Sequence, residues 1–322
     1  MADDITVIDP EGEVIFILEN PNAPFAVWND TNNGEKGTGR NDEQSASKVI
    51  RVRVSEKHLT LASPVFKTML IGVWKESRTA GDEKMKEIRT ESWDAGAFLL
   101  LLNLLHCRHR TVPQGLSLEQ LAKLAEIANY YNCIEAIKFF SDRWMELLKP
   151  NRPKQYSRDL MLWLWITWAF GSPDRSEAWM IAVKESKSPV RSLGLPFPSL
   201  VMDRINTQRN TAICILFTTL NKLRDDLLCD TKGCSFQCRA VANGVLTKLM
   251  HEKGLLIEPT AAAAKWSFVE LINIVATFSK GLLDTCRCQR NYYDVHSLCQ
   301  PGSWITEVMQ SASKSVDMYV TC

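Results

Sequence analysis

The chain carries almost no excess of charge of either sign: 38 lysines and arginines stand against 37 aspartates and glutamates, a net of +1. No global field therefore favours nucleic acid or an anionic membrane, and partner choice has to be local. Long apolar runs are missing too. The densest, Leu160 to Phe170, falls far short of the roughly 20 residues that span a bilayer, so it reads as a buried helix. Asp3, Asp4 and Asp9 occupy the stretch where a secretory signal needs basic residues followed by an apolar run, so export by that route is not expected. Patterns with direct chemistry are also absent. No glycine-rich phosphate loop follows a strand, and there is neither a Gly-x-Ser-x-Gly elbow nor a His-Glu-x-x-His helix. Catalysis has no visible seat, and the chain is not expected to be an enzyme.

What is present is enough for two ordinary domains: 322 residues, 45% of them hydrophobic. Ten cysteines are many for this length. Without a secretory signal they are expected as reduced thiols in the cytoplasm or nucleus.

Val14 to Leu18 is a continuous apolar run rich in β-branched residues, the pattern of a strand covered on both faces. From Asn20 to Ser47 the composition shifts to Asn, Asp, Gly, Pro and Thr, which predicts a flexible insert. Lys48 to Val54 alternates, with Ile50, Val52 and Val54 on one face and Arg51 and Arg53 on the other. That period of two predicts a half-exposed strand, with the arginines on a solvated face rather than in a basic docking patch. Lys86 to Arg89 reads as a third short strand.

The helical signals between and after these strands are sharper. Ser63 is a good N-cap, and Pro64 falls at the first helical position, where a missing N–H costs nothing. Phe66, Met69 and Leu70 follow at helical spacing and Gly72 can end the element. Ser92 is positioned to cap a helix from Trp93 to His106 with Phe98, Leu101, Leu102 and Leu105 on one stripe. Ser117 and Gln120 have capping-box spacing before Leu118, Leu121, Ala125 and Ala128. Asn132 and Glu135 repeat the spacing ahead of Ile137, Phe140, Trp144 and Leu147, and Pro150 and Pro153 close the block. Two strands, a helical hairpin, a third strand and three helices describe a small α+β domain over residues 1–150.

A strand followed by Leu61, then Ala62-Ser63-Pro64, Phe66 three residues after the serine, and Met69 is similar to the signature of BTB/POZ domains. The order of elements is that family's order as well, and the resemblance covers roughly Asp9 to Lys149. The Phe98 to Arg110 helix and the Leu118 to Leu148 pair look like the last three helices of such a domain. Ser157 to Trp165 and the Gly-Cys-Ser-Phe-x-Cys at Gly233 to Cys238 resemble segments of fungal BTB-domain proteins of this length. Two departures stand out: Ser55 holds a place where many BTB domains carry a histidine, and the 20–47 insert separates strands that are usually joined tightly. There is also no room before Val14 for the extra helix and strand that BTB transcription factors exchange between protomers. The resemblance implies a protein-protein interaction role, by self-association as a homo-oligomer or as an adaptor to another protein, including a cullin-type ubiquitin ligase scaffold. No Kelch, MATH or zinc-finger module accompanies it.

After Pro153 the pattern is helical, and residues 151–282 are expected to form an all-α extension. Its parts are an apolar helix from Asp159 to Phe170 with Trp163, Trp165 and Trp168, a long helix over Leu200 to Leu228, and helices over Phe236 to His251 and Trp266 to Lys280. Residues 283–322 show little periodicity and are expected as an irregular tail. The C-terminal half also holds most of the soft metal ligands. Cys234 and Cys238 are four apart, so on a helix they share a side, and His296 and Cys299 are three apart. Together these four have the chemistry of a closed tetrahedral zinc site, which would make the chain a metal-binding regulator or enzyme. Without a Cys-x-x-Cys knuckle, buried thiols are the expected outcome and no cofactor is assigned. His106 and His109, with Arg108 and Arg110, sit where a helix C-terminus favours positive charge.

Overall fold

The computed structural model describes residues 5–28, 49–71, 85–229, 231–285 and 301–317. Its architecture is mixed α+β, with a small four-stranded sheet and a majority of helix. Two compact units divide the chain: Met1–Arg175 with Ser192–Phe197, and Ser176–Arg191 with Pro198–Cys322.

In the first unit β1 (Ile5–Val7), β2 (Val14–Glu19), β3 (Ile50–Val54) and β4 (Lys86–Glu91) stand in the order β1-β3-β2-β4. The apolar run forms the inner strand β2, antiparallel to β3 through Phe16 and Val52 and parallel to β4 through Phe16 and Ile88. Phe16, Ile17 and Leu18 are all buried, so both faces are covered. β3 alternates as its sequence does, Val52 and Val54 inward. Its Arg53 is more than a solvated side chain, because Nε donates to the Gly12 carbonyl at 2.8 Å. A Cβ at Gly12 would collide with the Val54 carbonyl, so this close approach requires glycine. The strand β1 is an addition to the expected set, whose first strand is Val14 to Leu18. Three exposed residues pair in parallel with β3 on one side only, and Arg108 holds the following turn by donating to Val7 O and Ile8 O at 3.1 and 3.0 Å.

Helices α1 (Glu56–Ala62), α2 (Pro64–Ile71), α3 (Ala95–Leu105), α4 (Leu118–Tyr130) and α5 (Lys138–Leu148) complete the expected order. Phe16 is the hub of this core, edge-on to Phe66 at 5.5 Å and to Phe98 at 5.3 Å. Three local expectations are corrected. Asp94, rather than Ser92, caps α3 by accepting from Ala97 N, while Ser92 turns the chain at φ +70°. Asn132 caps nothing: it takes φ +49° at the turn after α4, and a 3-10 turn at Glu135–Ile137 precedes α5. On α5 the buried side is Ser141, Trp144 and Met145, with Leu147 exposed. Gly72 lies outside the described residues.

Two larger corrections concern boundaries. Residues 20–28 of the expected flexible insert are placed: Asn22 N donates to Trp93 O at 2.9 Å, Asn22 Oδ1 accepts from Ala95 N, and Trp28 meets Tyr156 edge-on at 5.4 Å. The apolar stretch Pro24-Phe25-Ala26-Val27-Trp28 supplies the packing that average composition concealed; residues 29–47 lie outside the described set. The first unit also runs past the expected boundary at residue 150. Helix α6 (Arg158–Ala169), apolar all round as read, packs on α4, and Trp165 Nε1 donates to the Ala122 carbonyl at 3.2 Å.

The second unit is entirely helical among the described residues: α7 (Arg175–Glu185), α8 (Ser199–Leu228), α9 (Phe236–Glu252), α10 (Pro259–Ala263), α11 (Phe268–Thr285) and α12 (Pro301–Asp317). The long α8 buries the whole expected stripe from Val201 to Leu227. It also buries Arg209, whose guanidinium donates to Ser186 O, Lys187 O, Trp266 O and Ala263 O, joining three segments through their carbonyls. Helices α7 and α10 are additions to the expected set. The tail is corrected as well: α12 buries Trp304, Ile305, Val308, Ala312 and Val316, a helical stripe that the reading of 283–322 as irregular passed over.

Candidate functional site

The Ser63-Pro64 junction is used twice. The Ser63 hydroxyl accepts from Phe66 N at 3.0 Å, which is the expected cap, and donates to Tyr131 O at 2.5 Å, which satisfies a carbonyl at the end of α4. Phe66 is fully buried and stacks on Tyr131 at 4.3 Å, while Met69 is half-buried. Pro64 opens α2 and is exposed. Ser63 and Phe66 thus tie α2 to the end of α4 and to the sheet.

Beside this junction His106 stands at the C-cap of α3, buried, with its ring stacked on His58 at 4.9 Å. Nε2 accepts from Ser55 N at 2.9 Å, so that nitrogen carries no proton; Nδ1 then donates to Leu102 O at 2.7 Å. Burial holds the imidazole below its ordinary pKa, and the neighbouring His58 pushes the same way. Of the expected basic terminus, His106 is therefore neutral and structural and Arg108 binds backbone. Cys133 is equally inert, its thiol pushed up to about 12 by burial.

A cleft of about 240 Å³ lies within the first unit. It is walled by Phe25, Trp93 and Leu195 and carries Asp94, Lys123 and Glu126. Lys123 and Glu126 come from successive turns of α4, Asp94 from the cap of α3, Phe25 from the docked loop. Around the cleft the backbone is held in the left-handed region at Ala26, Ser92 and Leu193, residues without glycine's freedom. The charges are unequal in their bonding. Lys123 Nζ meets Asp94 Oδ2 at 3.0 Å and Glu119 Oε1 at 2.9 Å, and Arg158 Nη1 meets Glu119 Oε2 at 2.9 Å, so these four close on one another. Glu126 has no hydrogen bond or ion pair among the described residues, and burial alone raises its pKa. A half-buried carboxylate left in this state favours a donor or a cation arriving from outside.

Of the four metal candidates, Cys238 is buried in the first turn of α9 and Cys234 is half-buried just before it. His296 and Cys299 lie outside the described residues. Among the described residues no three His, Cys, Asp or Glu side chains gather as metal ligands, and no helix is long and apolar enough to cross a membrane. No family model matches this chain, and no curated protein or solved structure does so.

The sequence reading missed the cleft for a definite reason. Glu119, Lys123 and Glu126 lie on one side of α4 and read as an ordinary solvated charged stripe. Residues 23–26 and 193–195 wall the cleft over Lys123 and Glu126, and neither segment carries a periodic signal.

Proposed function

We propose that this chain is a non-catalytic protein-interaction protein of the BTB/POZ type, working in the cytoplasm or nucleus through the surface of its first unit. The observation that carries the reading is the set of large apolar side chains that the helices of this unit leave in solvent: Leu61 on α1 at 90% exposure, Phe139 on α5 at 78% and Ile71 on α2 at 62%. Each stands on a helix that buries other residues, Leu59 on α1, Phe66 and Leu70 on α2, and Trp144 and Met145 on α5. The strand and helix order supports the family reading, with β2 between an antiparallel β3 and a parallel β4 and a Ser-Pro hairpin of helices between β3 and β4. The partners are a second copy of the chain or a scaffold of the cullin type. Nucleic acid and membrane are not proposed.

The test is the molar mass of the full chain by light scattering across micromolar concentrations, with capture of a purified cullin scaffold as a second arm. The expected outcome is concentration-dependent dimerisation or retention of the scaffold, lost in Leu61→Asp with no fall in melting temperature. A strict monomer that retains no scaffold would overturn the reading.

A further inference from the structure

We propose that the cleft beside Trp93 receives a cationic side chain, a lysine or arginine presented by the protein partner, with Glu126 taking the charge and Trp93 and Phe25 the alkyl stem. The assignment rests on the interaction reading above and names the chemistry that one site on its surface selects.

Size comes first. At about 240 Å³ the cleft is below the roughly 300–1,000 Å³ typical of pockets for whole small-molecule ligands, and suits one long side chain. Charge decides the kind of side chain. Asp94, Glu119, Lys123 and Arg158 neutralise one another, which leaves Glu126, with Glu91 at the rim, as the uncompensated charges. An anion would meet two uncompensated carboxylates. A neutral apolar side chain would desolvate Glu126 further without giving it a hydrogen bond. An ammonium or guanidinium supplies the bond and the opposite charge together. A metal ion is disfavoured because no three His, Cys, Asp or Glu side chains gather as ligands among the described residues.

The walls suit the remainder of such a side chain. Trp93 is held rigidly, its Nε1 donating to Thr90 Oγ1 at 2.7 Å and its ring edge-on to Tyr130 at 5.2 Å, so its face is a fixed surface for a methylene stem or a flat guanidinium. Phe25 already lies under a cation, Lys123 Nζ standing 5.6 Å from its centroid. The loop bearing Phe25 is fastened by Arg158, which donates to Ala26 O at 2.8 Å and Phe25 O at 3.1 Å. The cleft is thus preformed, and a guest loses only its own freedom on entering.

The experiment titrates the full chain with N-acetyl-arginine amide and N-acetyl-lysine amide, and with the neutral isosteres N-acetyl-citrulline amide and N-acetyl-norleucine amide, by calorimetry. The expected result is a preference of about tenfold or more for the cationic member of each pair, abolished in Glu126→Gln. The same variant should melt no lower than the parent, because it removes a desolvated carboxylate that holds no partner. Equal binding of cationic and neutral amides overturns the proposal from the unaltered chain alone. So does a Glu126→Gln variant that keeps the preference or melts lower. A chain that dimerises or holds the scaffold but ignores the cationic amides sinks the cleft assignment and leaves the interaction reading intact. One that binds the amides through Glu126 yet never holds a protein overturns the interaction reading, and with it the partner as the source of the cation.

Discussion

Replacing Ser63 with alanine tests the geometry of the first unit more sharply than any larger truncation, because one hydroxyl makes two bonds. Loss of an N-cap alone costs about 1 kcal/mol, which is all that the sequence promises. The structure adds the bond from Ser63 Oγ to Tyr131 O, a buried carbonyl at the end of α4 that would be left without that donor. An unsatisfied buried acceptor costs about 1–3 kcal/mol, so the total is about 2–4 kcal/mol. For a unit of this size that is a fall in melting temperature of about 4–16 °C. The internal control is Ser117→Ala. Ser117 is also an N-cap serine, in a complete capping box, but its hydroxyl is exposed and makes only the cap bond to Gln120 N at 3.2 Å. That change should cost about 1 kcal/mol. Urea unfolding of the full chain, followed by near-ultraviolet circular dichroism and fitted for midpoint and slope, reads both. If Ser63→Ala costs no more than Ser117→Ala, the tie between α2 and the end of α4 contributes nothing and the reasoning fails.

Three further outcomes follow from the same unit. Phe66→Ala should cost about 3–5 kcal/mol because the ring is fully buried between Phe16 and Tyr131, whereas Leu61→Ala, five residues earlier and exposed, should stay within about 0.5 kcal/mol; comparable losses in urea titrations would mean that the helix faces are misassigned. Stability should fall as pH drops from 8 to 5 through the ordinary histidine range: burial and His58 hold folded His106 below its unfolded pKa and Asp9 opposes them only in part, so the unfolded chain binds the extra proton in that window. His106→Gln should flatten this part of the profile, and an unchanged slope in the variant would refute the assignment of a neutral, Ser55-bonded ring. A fragment ending at residue 150 should aggregate or melt without cooperativity, since it strips α6 from α4 and leaves Ala122 O without its Trp165 donor; a cooperative melt by circular dichroism would restore the shorter boundary.

Much of the first unit was legible because its signals are local. A serine-proline pair, a capping box and an apolar run bounded by turn residues each act within a few positions, and Ser63, Ser117 and Val14–Leu18 all behave as read. Errors collect where a distant segment decides the outcome. Ser92 is a sound cap by composition, but the chain needs a left-handed turn there and Asp94 takes the cap. Residues 20–28 are polar on average, yet five consecutive apolar or small residues within them suffice to dock. At α12 the stripe was present and was outweighed by the masking effect of the polar residues around it. The cleft was illegible for the strongest reason: no single element contains it, and its walls come from four places in the sequence.

That distribution bears on what the cleft is for. Across the first unit, polar atoms placed in the interior are matched over long sequence separations: Ser63 with Tyr131, His106 with Ser55, Trp144 with Pro113, Trp165 with Ala122. Each is a side chain bonded to a backbone group, so each fixes the register of one element on another while leaving nothing unsatisfied. Glu126, half-buried on α4, makes no such bond among the described residues. Removing its carboxylate by Glu126→Gln relieves a folded pKa that burial has raised. The variant should therefore gain stability above the ordinary carboxylate range and lose that advantage below it, where both states are protonated. A structural role predicts the opposite sign at neutral pH. A gain in stability on Glu126→Gln at neutral pH would mark the carboxylate as kept for something other than the fold, and an unpaired carboxylate in an aromatic-walled cleft suits a ligand, since sites where local consistency fails are where ligands bind.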